Sequence, residues 1–402
     1  MFEVIDLRHL VNFQMKTSSC MARIQARKAI PKLKELSFKN LFREPIEYAG
    51  RSDAGIRLLY RIHEMASQLI RSSKPLFYLE KISEREGMAR CTKLGDLLIG
   101  IAQSDFTRLL ADWPIHKFSP IVRGFLKLFE LLMVQTNSIG GYFAIVSLDA
   151  ARAAVNCANR YASTLKKYLG RSVIKSANER FRRSALDNFD ELAGILQWIS
   201  KEHPEVVVLR FDTGYREEGA TPSKLGDPPR TGHLDKYREC RKPFHRWIKD
   251  RFGEDLLLCA WAFEYGREKL FHQHYLVVLK PRGNKDHVEL VDEIGRKWSA
   301  ITKSLGSIHN CNARRSDYRY PALGQVRLDH PQVIIGLRYI ESYLTLAEAH
   351  ARFDLGVRIK AHGKFGNYPE EATIKPARPR SSFSPMPIAI TYAQAQSQYV
   401  NF

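Results

Sequence analysis

The chain has 402 residues, more than a single compact core usually organises, so we expect two domains. It carries 63 Lys plus Arg against 43 Asp plus Glu, a formal net charge of +20, and 44% of its residues are hydrophobic, which excludes an unfolded chain. A basic globular protein of this kind is expected to bind a polyanion, above all nucleic acid, because neutralised phosphates release counterions. The alternative is that the charge only keeps the protein in solution.

Cysteine spacing and hydropathy exclude several other classes. The six cysteines are scattered, without a CxxC pair or zinc-finger spacing, as in a reduced cytoplasmic protein. The first ten residues contain Glu3 and Asp6 and lack the basic flank and apolar core of a signal peptide. The apolar stretch FLKLFELLMV is interrupted by Lys127 and Glu130, so we expect no membrane-spanning segment and no membrane partner.

The N-terminal half, residues 1–195, reads as helical. Apolar residues recur at helical spacing in AGIRLLYRIHEMASQLI, FSPIVRGFLKLFELLMV, DAARAAVNCANRYASTLKKYL and NFDELAGILQWI. Residues 21–43 hold seven basic side chains against Glu35 alone, and they form either a DNA-contacting arm or a solvated face. We predict a helical accessory region that binds DNA or a protein partner.

Strand-like runs begin at Val206. VVVLRF (206–211), DLLLCAWAFEY (255–265) and HQHYLVVL (272–279) are strongly apolar, with helical patterns between and after them. The pattern predicts an α+β domain with a mainly antiparallel sheet over residues 196–368. The last predicted helix covers residues 332–353, and the Pro- and Ser-rich residues 369–402 are predicted to be a tail.

Polar side chains on two of these strands indicate a metal site. Because side chains alternate along a strand, His272 and His274 point to the same face with their Cα atoms roughly 7 Å apart. A hairpin that pairs Glu264 with His272 puts the carboxylate on that face as well. Two imidazoles and a carboxylate with open positions suit Mg²⁺ or Mn²⁺ that also binds substrate oxygens. Alternatively, both imidazoles are core side chains satisfied by backbone groups or solvent.

Arg210 and Asp212 share one face of the first strand, where an apolar pattern does not predict charge. Buried charged groups need partners, and an active site would supply them. The alternative is that the pair marks the exposed end of the strand.

Two tyrosines share one face of the last predicted helix. Tyr339 and Tyr343 stand one turn apart, and the apolar residues beside them also fit an aromatic core stripe. A tyrosine hydroxyl, with an ordinary pKa of about 10, attacks a phosphate only when it is activated. A metal ion on the scissile phosphate supplies that activation. The tyrosine helix and the histidine pair therefore support each other as parts of one catalytic site.

In this order, VLRFDTGY, WAFEYGREKLFHQHYLVVL and LRYIESYLTL resemble the rolling-circle replication initiators of the HUH endonuclease superfamily. The closer resemblance is to the inovirus-type replication proteins, the YagK/YfjJ C-terminal domain family of filamentous phages and bacterial mobile elements. It covers residues 200–368 and includes an Arg-x-Asp motif, an acidic residue before a His-x-His pair, and a helical tyrosine, matched by Arg210, Asp212, Glu264, His272, His274 and Tyr343. The chain departs from the family at Leu346, where a lysine is usual; Arg338, Lys360 and Lys364 are candidate substitutes.

The resemblance implies an HUH nuclease domain, an RRM-like or ferredoxin-like antiparallel sheet with helices on one face. It implies a bacterial cytoplasmic enzyme that nicks and rejoins single-stranded origin DNA. Glu264, His272 and His274 would hold Mg²⁺ or Mn²⁺, and Tyr343 would form a 5′-phosphotyrosine and release a 3′-OH. Tyr339 would serve a second strand transfer, or else only pack. Host replication proteins are possible partners of the N-terminal half.

A loop beyond the sheet strands mixes basic and aromatic side chains as single-stranded DNA requires. Its candidate DNA-binding residues are Arg314, Arg315, Tyr318, Arg319 and Tyr320, and the alternative is an ordinary basic surface loop. Two rival functions stay open: a non-catalytic DNA-binding regulator derived from an initiator, which Leu346 favours, and a metal-dependent RNA nuclease, which would not need the tyrosine helix. A metalloprotease is disfavoured because no HExxH occurs.

Overall fold

A computed structural model of the chain describes residues 54–136, 145–215, 234–266, 270–281, 283, 286–318, 320, 322–355 and 359–373. The predicted basic arm at residues 21–43 and the Pro- and Ser-rich residues after 373 lie outside these ranges. Within the part of the chain that the structure describes, no helix combines the length and the apolar character needed to cross a membrane.

The four helical patterns predicted in the N-terminal half are all helices. The helices of this region are α1 (Ala54–Arg71), α2 (Lys93–Ala102), α3 (Phe106–Asp112), α4 (Pro120–Thr136), α5 (Leu148–Leu169) and α6 (Ser172–Glu202). In α5, for example, Ala151, Val155, Ala158 and Ala162 are buried at spacings of three and four, and the Ser147 hydroxyl caps the first turn by accepting from the amide of Ala150.

The N-terminal region is not purely helical, which corrects the prediction. Its strands are β1 (Phe77–Lys81), β2 (Glu86–Cys91), β3 (His116–Phe118) and β4 (Val146–Ser147). β1, β2 and β4 form a three-stranded antiparallel sheet. Strands of two to six residues are too short to leave a clear periodic signal among long helices.

The C-terminal region contains the predicted antiparallel sheet. Its strands are β5 (Glu205–Tyr215), β6 (Leu256–Gly266), β7 (Leu270–Leu279), β8 (Gly306–Asn310), β9 (Gly324–Arg327), β10 (Ala351–Phe353) and β11 (His362–Phe365). The order is β11-β6-β7-β5-β8, with β9 beside the other half of β5, and these pairs are antiparallel. The α+β prediction is confirmed at this level.

Helices cover both faces of this sheet, so the prediction of helices on one face is wrong. α7 (Leu234–Phe252) and α8 (His287–Ile301) pack on one face, and α6 with α9 (Pro331–Leu346) packs on the other. The reason is visible in the strands themselves: every residue of β7 is buried, and β5 and β6 are buried along almost their whole length. Strands that are apolar on both sides must be covered on both sides.

The predicted domain boundaries at 195/196 and 368/369 do not coincide with breaks in the structure. α6 runs through the first boundary to Glu202 and packs against α4 as well as against α9 and β6. A 3₁₀ turn at Glu370–Thr373 packs on α6, where a Cβ on Gly194 would lie 2.3 Å from the Ala372 carbonyl oxygen. Residues up to Thr373 therefore belong to the fold.

The last predicted helix is shorter than expected. α9 ends at Leu346, a 3₁₀ turn follows at Ala347–Ala349, and β10 then pairs antiparallel with β3 of the N-terminal region. Residues 351–353 form main-chain hydrogen bonds with a distant strand, and such a long-range pairing overrides the local helical pattern.

Candidate metal centre and its tyrosine

The β6–β7 hairpin has the register that the sequence predicts. Glu264 lies opposite His272, and His274 is two residues further along the same face of β7. In the neighbouring β5–β7 pair, Asp212 lies opposite His274. Ligand atoms of Glu264, His272 and His274 all lie within 4.8 Å of one another, so the three side chains form a cluster that can hold a metal ion.

Each histidine has one ring nitrogen fixed by a hydrogen bond and the other directed at the cluster. Nδ1 of His272 donates to the Leu270 carbonyl oxygen at 2.9 Å, and its Nε2 lies 3.7 Å from Oε2 of Glu264. Nδ1 of His274 donates to Oδ1 of Asp212 at 2.5 Å, and its Nε2 lies 2.8 Å from Oε2 of Glu264. Metal-binding histidines are oriented in this way, since a carbonyl or carboxylate that accepts from one nitrogen leaves the lone pair of the other for the ion.

The carboxylate of Glu264 has one oxygen in use and one unsatisfied. Oε2 accepts from the hydroxyl of Tyr343 at 2.9 Å, whereas Oε1 is buried and has no hydrogen-bond partner among the residues described. A buried carboxylate oxygen without a partner is costly, and a bound cation would satisfy it. Two imidazole nitrogens and this oxygen are therefore a chemically suitable set of ligands for a divalent ion.

The pKa values of Glu264 and His272 favour cation binding, whereas that of His274 opposes it. Burial would raise the pKa of Glu264, but the charge and hydrogen bond of His274, with the charge of His272, lower it to about 2. Burial and then the charge of His274 lower the pKa of His272 to about 4. Burial opposes the charged form of His274 too, but Asp212 and Glu264 outweigh it and raise the pKa of His274. Near neutral pH, Glu264 is thus ionised and His272 neutral, as cation binding requires, whereas the raised pKa of His274 favours a proton on Nε2 that a bound ion would displace.

Tyr343 of α9 lies in the same cluster. Its hydroxyl is 2.6 Å from Nε2 of His274, and its ring centroid is 4.7 Å from that of the imidazole. The guanidinium carbon of Arg210 lies 5.6 Å from the centroid of the tyrosine ring, a cation–π distance. Tyr339, one turn earlier, stacks on Tyr320 with centroids 5.3 Å apart, which places it against the loop after β8. The two tyrosines therefore have different surroundings.

Arg210 and Asp212 are buried partners, not the exposed end of a strand. Nη1 of Arg210 donates to Oδ1 of Asp212 at 2.5 Å and to the Phe211 carbonyl oxygen at 2.9 Å. Burial opposes the charged guanidinium, but the attraction of Asp212 is stronger and raises the pKa of Arg210. Because Asp212 also accepts from His274, the pair joins the guanidinium to the metal cluster.

The loop after β8 comes close to this network. The Tyr318 side chain is 42% exposed. Partial burial and the neighbouring Cys311 raise the pKa of its hydroxyl, and the charges of Arg210 and Asp212 also act on that pKa. Arg314 and Arg315 are exposed in the 3₁₀ segment Asn312–Asp317. Tyr320 carries the stack with Tyr339, and Arg319 lies outside the described residues.

Asn312, which no pattern in the sequence singles out, anchors this loop. Its Oδ1 accepts from the amide of Arg210 at 2.8 Å, and its Nδ2 donates to the Val208 carbonyl oxygen at 2.9 Å. An asparagine in a polar loop carries no signal that it will bond to a strand about a hundred residues away in sequence.

Leu346 occupies a different environment from the metal cluster. It is 1% exposed and packs with Tyr60 of α1 and Phe189 of α6. Of the cations considered as substitutes for a lysine there, Lys364 forms an ion pair with Glu191 and Lys360 lies near Trp261. Arg338 is a buried residue of α9. Arg210, whose guanidinium lies over the Tyr343 ring, is a cation that the structure does bring to the site.

Comparisons of the chain with protein-family models, with curated proteins and with solved structures give no significant match.

Proposed function

We propose that the chain nicks and rejoins single-stranded DNA at a replication origin, with Tyr343 as the nucleophile and Mg²⁺ or Mn²⁺ at Glu264, His272 and His274. This nicking and rejoining would initiate rolling-circle replication of a phage, plasmid or mobile element. The observation that supports it is the position of the Tyr343 hydroxyl, 2.6 Å from His274 and 2.9 Å from Glu264. A nucleophile and metal ligands share one small cluster, as phosphoryl transfer to tyrosine requires.

The choice of Mg²⁺ or Mn²⁺ rests on the proposed reaction, in which the ion would bind phosphate oxygens as well as the protein ligands. The cluster offers two imidazoles and one carboxylate, which leaves positions for oxygen atoms of a substrate. When bound, the ion supplies Lewis-acid polarisation of the scissile phosphate and offsets the charge that develops on it.

The chain's own residues carry the covalent step. The Tyr343 oxygen forms a bond to phosphorus, the bond from phosphorus to the 3′-oxygen breaks, and the products are a 5′-phosphotyrosine and a 3′-OH. Oε2 of Glu264 accepts the phenolic hydrogen bond and so orients the Tyr343 oxygen; the phenolic proton passes to solvent, and the 3′-oxygen receives a proton from solvent. Asp212 holds His274 in the tautomer that directs Nε2 at the cluster.

Rejoining is the reverse reaction, in which a 3′-OH attacks the phosphotyrosine and Tyr343 regains its proton. In a two-tyrosine scheme, Tyr339 forms the second phosphotyrosine at the end of a round of replication. The single strand would approach along the loop of Arg314, Arg315, Tyr318, Arg319 and Tyr320, where the exposed Tyr318 ring offers a face for a base.

The test is formation of a covalent protein–DNA adduct. Full-length protein with Mn²⁺ and single-stranded DNA from its own replicon should give an adduct that survives denaturation, and Tyr343→Phe should abolish it. Tyr78→Phe, at an exposed tyrosine of β1, is the matched control and should leave the adduct unchanged. An undiminished adduct in Tyr343→Phe would contradict the nucleophile assignment.

A second candidate is a DNA-binding regulator without turnover. It is favoured by the burial of Leu346, which leaves no cation at the position where the family it resembles has lysine. It predicts DNA binding by the wild-type chain with no adduct under any divalent ion, so the same experiment separates the two functions.

A further inference from the structure

A cluster of positive charges lies on the face of the sheet opposite the metal cluster. The Arg241 guanidinium carbon is 4.5 Å from the centroid of the Trp261 ring, and Nζ of Lys360 is 6.0 Å from the same centroid. Nζ of Lys249 is 4.9 Å from the centroid of Phe365. We call Arg241, Lys249 and Lys360 the α7 cation cluster, after the helix that carries the first two. Trp261 and Glu264 are three residues apart on β6 and therefore point to opposite faces, so this cluster is separate from the metal site.

The three cations are held by aromatic rings and not by acids. Among the residues that the structure describes, Arg241, Lys249 and Lys360 form no ion pair with a carboxylate. His245 packs against the same two rings, with centroid distances of 5.5 Å to Trp261 and 5.2 Å to Phe365, and its Nε2 lies 2.9 Å from the Tyr275 hydroxyl. Burial, and then the charges of these three side chains, lower the pKa of His245 to about 3.

The exposed face of α7 extends the cluster. Lys242, Arg246 and Lys249 are exposed and stand at positions i, i+4 and i+7, so they lie along one side of the helix. The whole helix has seven Lys and Arg against three Asp and Glu. Like charges without nearby acids repel one another. A polyanion that binds them removes this repulsion and releases its own counterions, and both effects favour binding.

We propose that the α7 cation cluster, with Lys242 and Arg246, binds the sugar–phosphate backbone of duplex DNA. Single strands need free aromatic faces for base stacking, but the Trp261 ring is 4% exposed and covered by Arg241. Cations alone match a duplex, whose phosphates face outward and whose bases are already stacked. The choice of DNA as the polyanion rests on the proposed function; the duplex would be the DNA that flanks the nicked strand.

The test is the salt dependence of duplex binding, measured without divalent ions so that neither the metal site nor strand cleavage contributes. Lys249→Gln plus Lys360→Gln should weaken binding of a short duplex of arbitrary sequence by about tenfold at low salt, and should reduce the slope of log K against log salt by about two. Lys242→Gln plus Arg246→Gln, which leave the ring contacts intact, should have the same effect. This second pair keeps the proposal testable if the first pair disturbs folding.

Lys93→Gln plus Lys117→Gln is the control, because both lysines are exposed in the N-terminal region and the change in net charge is equal. This variant should retain wild-type affinity and slope. An equal loss in the control, an unchanged slope in both test variants, or a loss confined to single-stranded DNA would overturn the proposal. Tyr343→Phe should bind the duplex like wild type, so failure of the nicking reaction and failure of duplex binding are observed independently.

Discussion

The Tyr343 hydroxyl lies 2.6 Å from Nε2 of His274, the ring nitrogen that remains when Nδ1 donates to Asp212. The phenol and the candidate metal ligand therefore belong to one hydrogen-bonded group, in which each member restrains the next. Removing one member changes the protonation, the orientation or the charge of its neighbours, so the effects of substitutions here are not expected to be additive.

The first prediction concerns the metal ligands. His272→Ala plus His274→Ala should abolish Mn²⁺ binding measured by calorimetry on the full chain, because only the Glu264 carboxylate remains of the cluster. His203→Ala plus His330→Ala removes two histidines outside the cluster and should bind Mn²⁺ like wild type. Binding that is unaffected by the first double substitution would place the ion elsewhere.

The second prediction concerns Asp212, which bridges Arg210 and His274. Asp212→Asn removes the charge that compensates a buried guanidinium, so the free energy of unfolding should fall by about 3 kcal/mol. The amide can also hold the imidazole in the wrong tautomer, and Mn²⁺ affinity should fall about tenfold to a hundredfold. Urea unfolding and calorimetry measure the two effects. Wild-type affinity in a folded variant would show that Asp212 does not position the ligand.

Alternation along strands was sufficient to predict the core of the site. The alternation rule placed His272, His274 and Glu264 on one face, and the register bears this out. It placed Arg210 with Asp212 as well. The loop contacts could not be predicted from alternation along strands. Asn312 bonds to β5 only because the fold brings together residues that are far apart in the sequence.

The sequence contains evidence that helices cover both faces of the sheet, although only one covered face was predicted. LFHQHYLVVL is buried at every position, which is typical of a strand covered on both sides, yet its two histidines draw attention to one face only. The pairing of β10 with β3 could not be predicted from the sequence. Strands of three residues leave no periodic pattern, and the two strands are more than two hundred residues apart in the chain.

The third prediction concerns Leu346. Introducing a lysine, which the initiators that the sequence resembles usually have at this position, should not improve the proposed cleavage, because the Leu346 side chain packs with Tyr60 and Phe189 in the core. Leu346→Lys should lower the free energy of unfolding by about 3 kcal/mol or more through burial of an unpaired amine. Leu346→Met, which conserves volume and polarity, should cost less than about 1.5 kcal/mol. A stable Leu346→Lys variant with enhanced cleavage would show instead that this position reaches the DNA.

The last prediction concerns pH and His350. This imidazole is buried beside Tyr60 and His63, at ring-centroid distances of 4.4 Å and 5.2 Å, and neither of its ring nitrogens has a hydrogen-bond partner among the described residues. Burial, and then the charge of Arg182, lower its pKa from 6.5 to about 3. The folded state therefore keeps His350 neutral, whereas the unfolded state takes up a proton as the pH falls below 6.5. The stability that this residue contributes is present above the unfolded pKa and is lost as the pH falls towards the folded pKa, by about 2 kcal/mol between pH 7 and pH 5.

His350→Phe removes this proton uptake and keeps an aromatic ring against Tyr60. Its free energy of unfolding, measured by urea titration at several pH values, should therefore fall by about 2 kcal/mol less than that of wild type over the same interval. His330→Phe, at an exposed histidine, should follow the wild-type pH dependence. If His350→Phe loses stability with acid as steeply as wild type, the imidazole is already protonated in the folded state and must have an anionic partner.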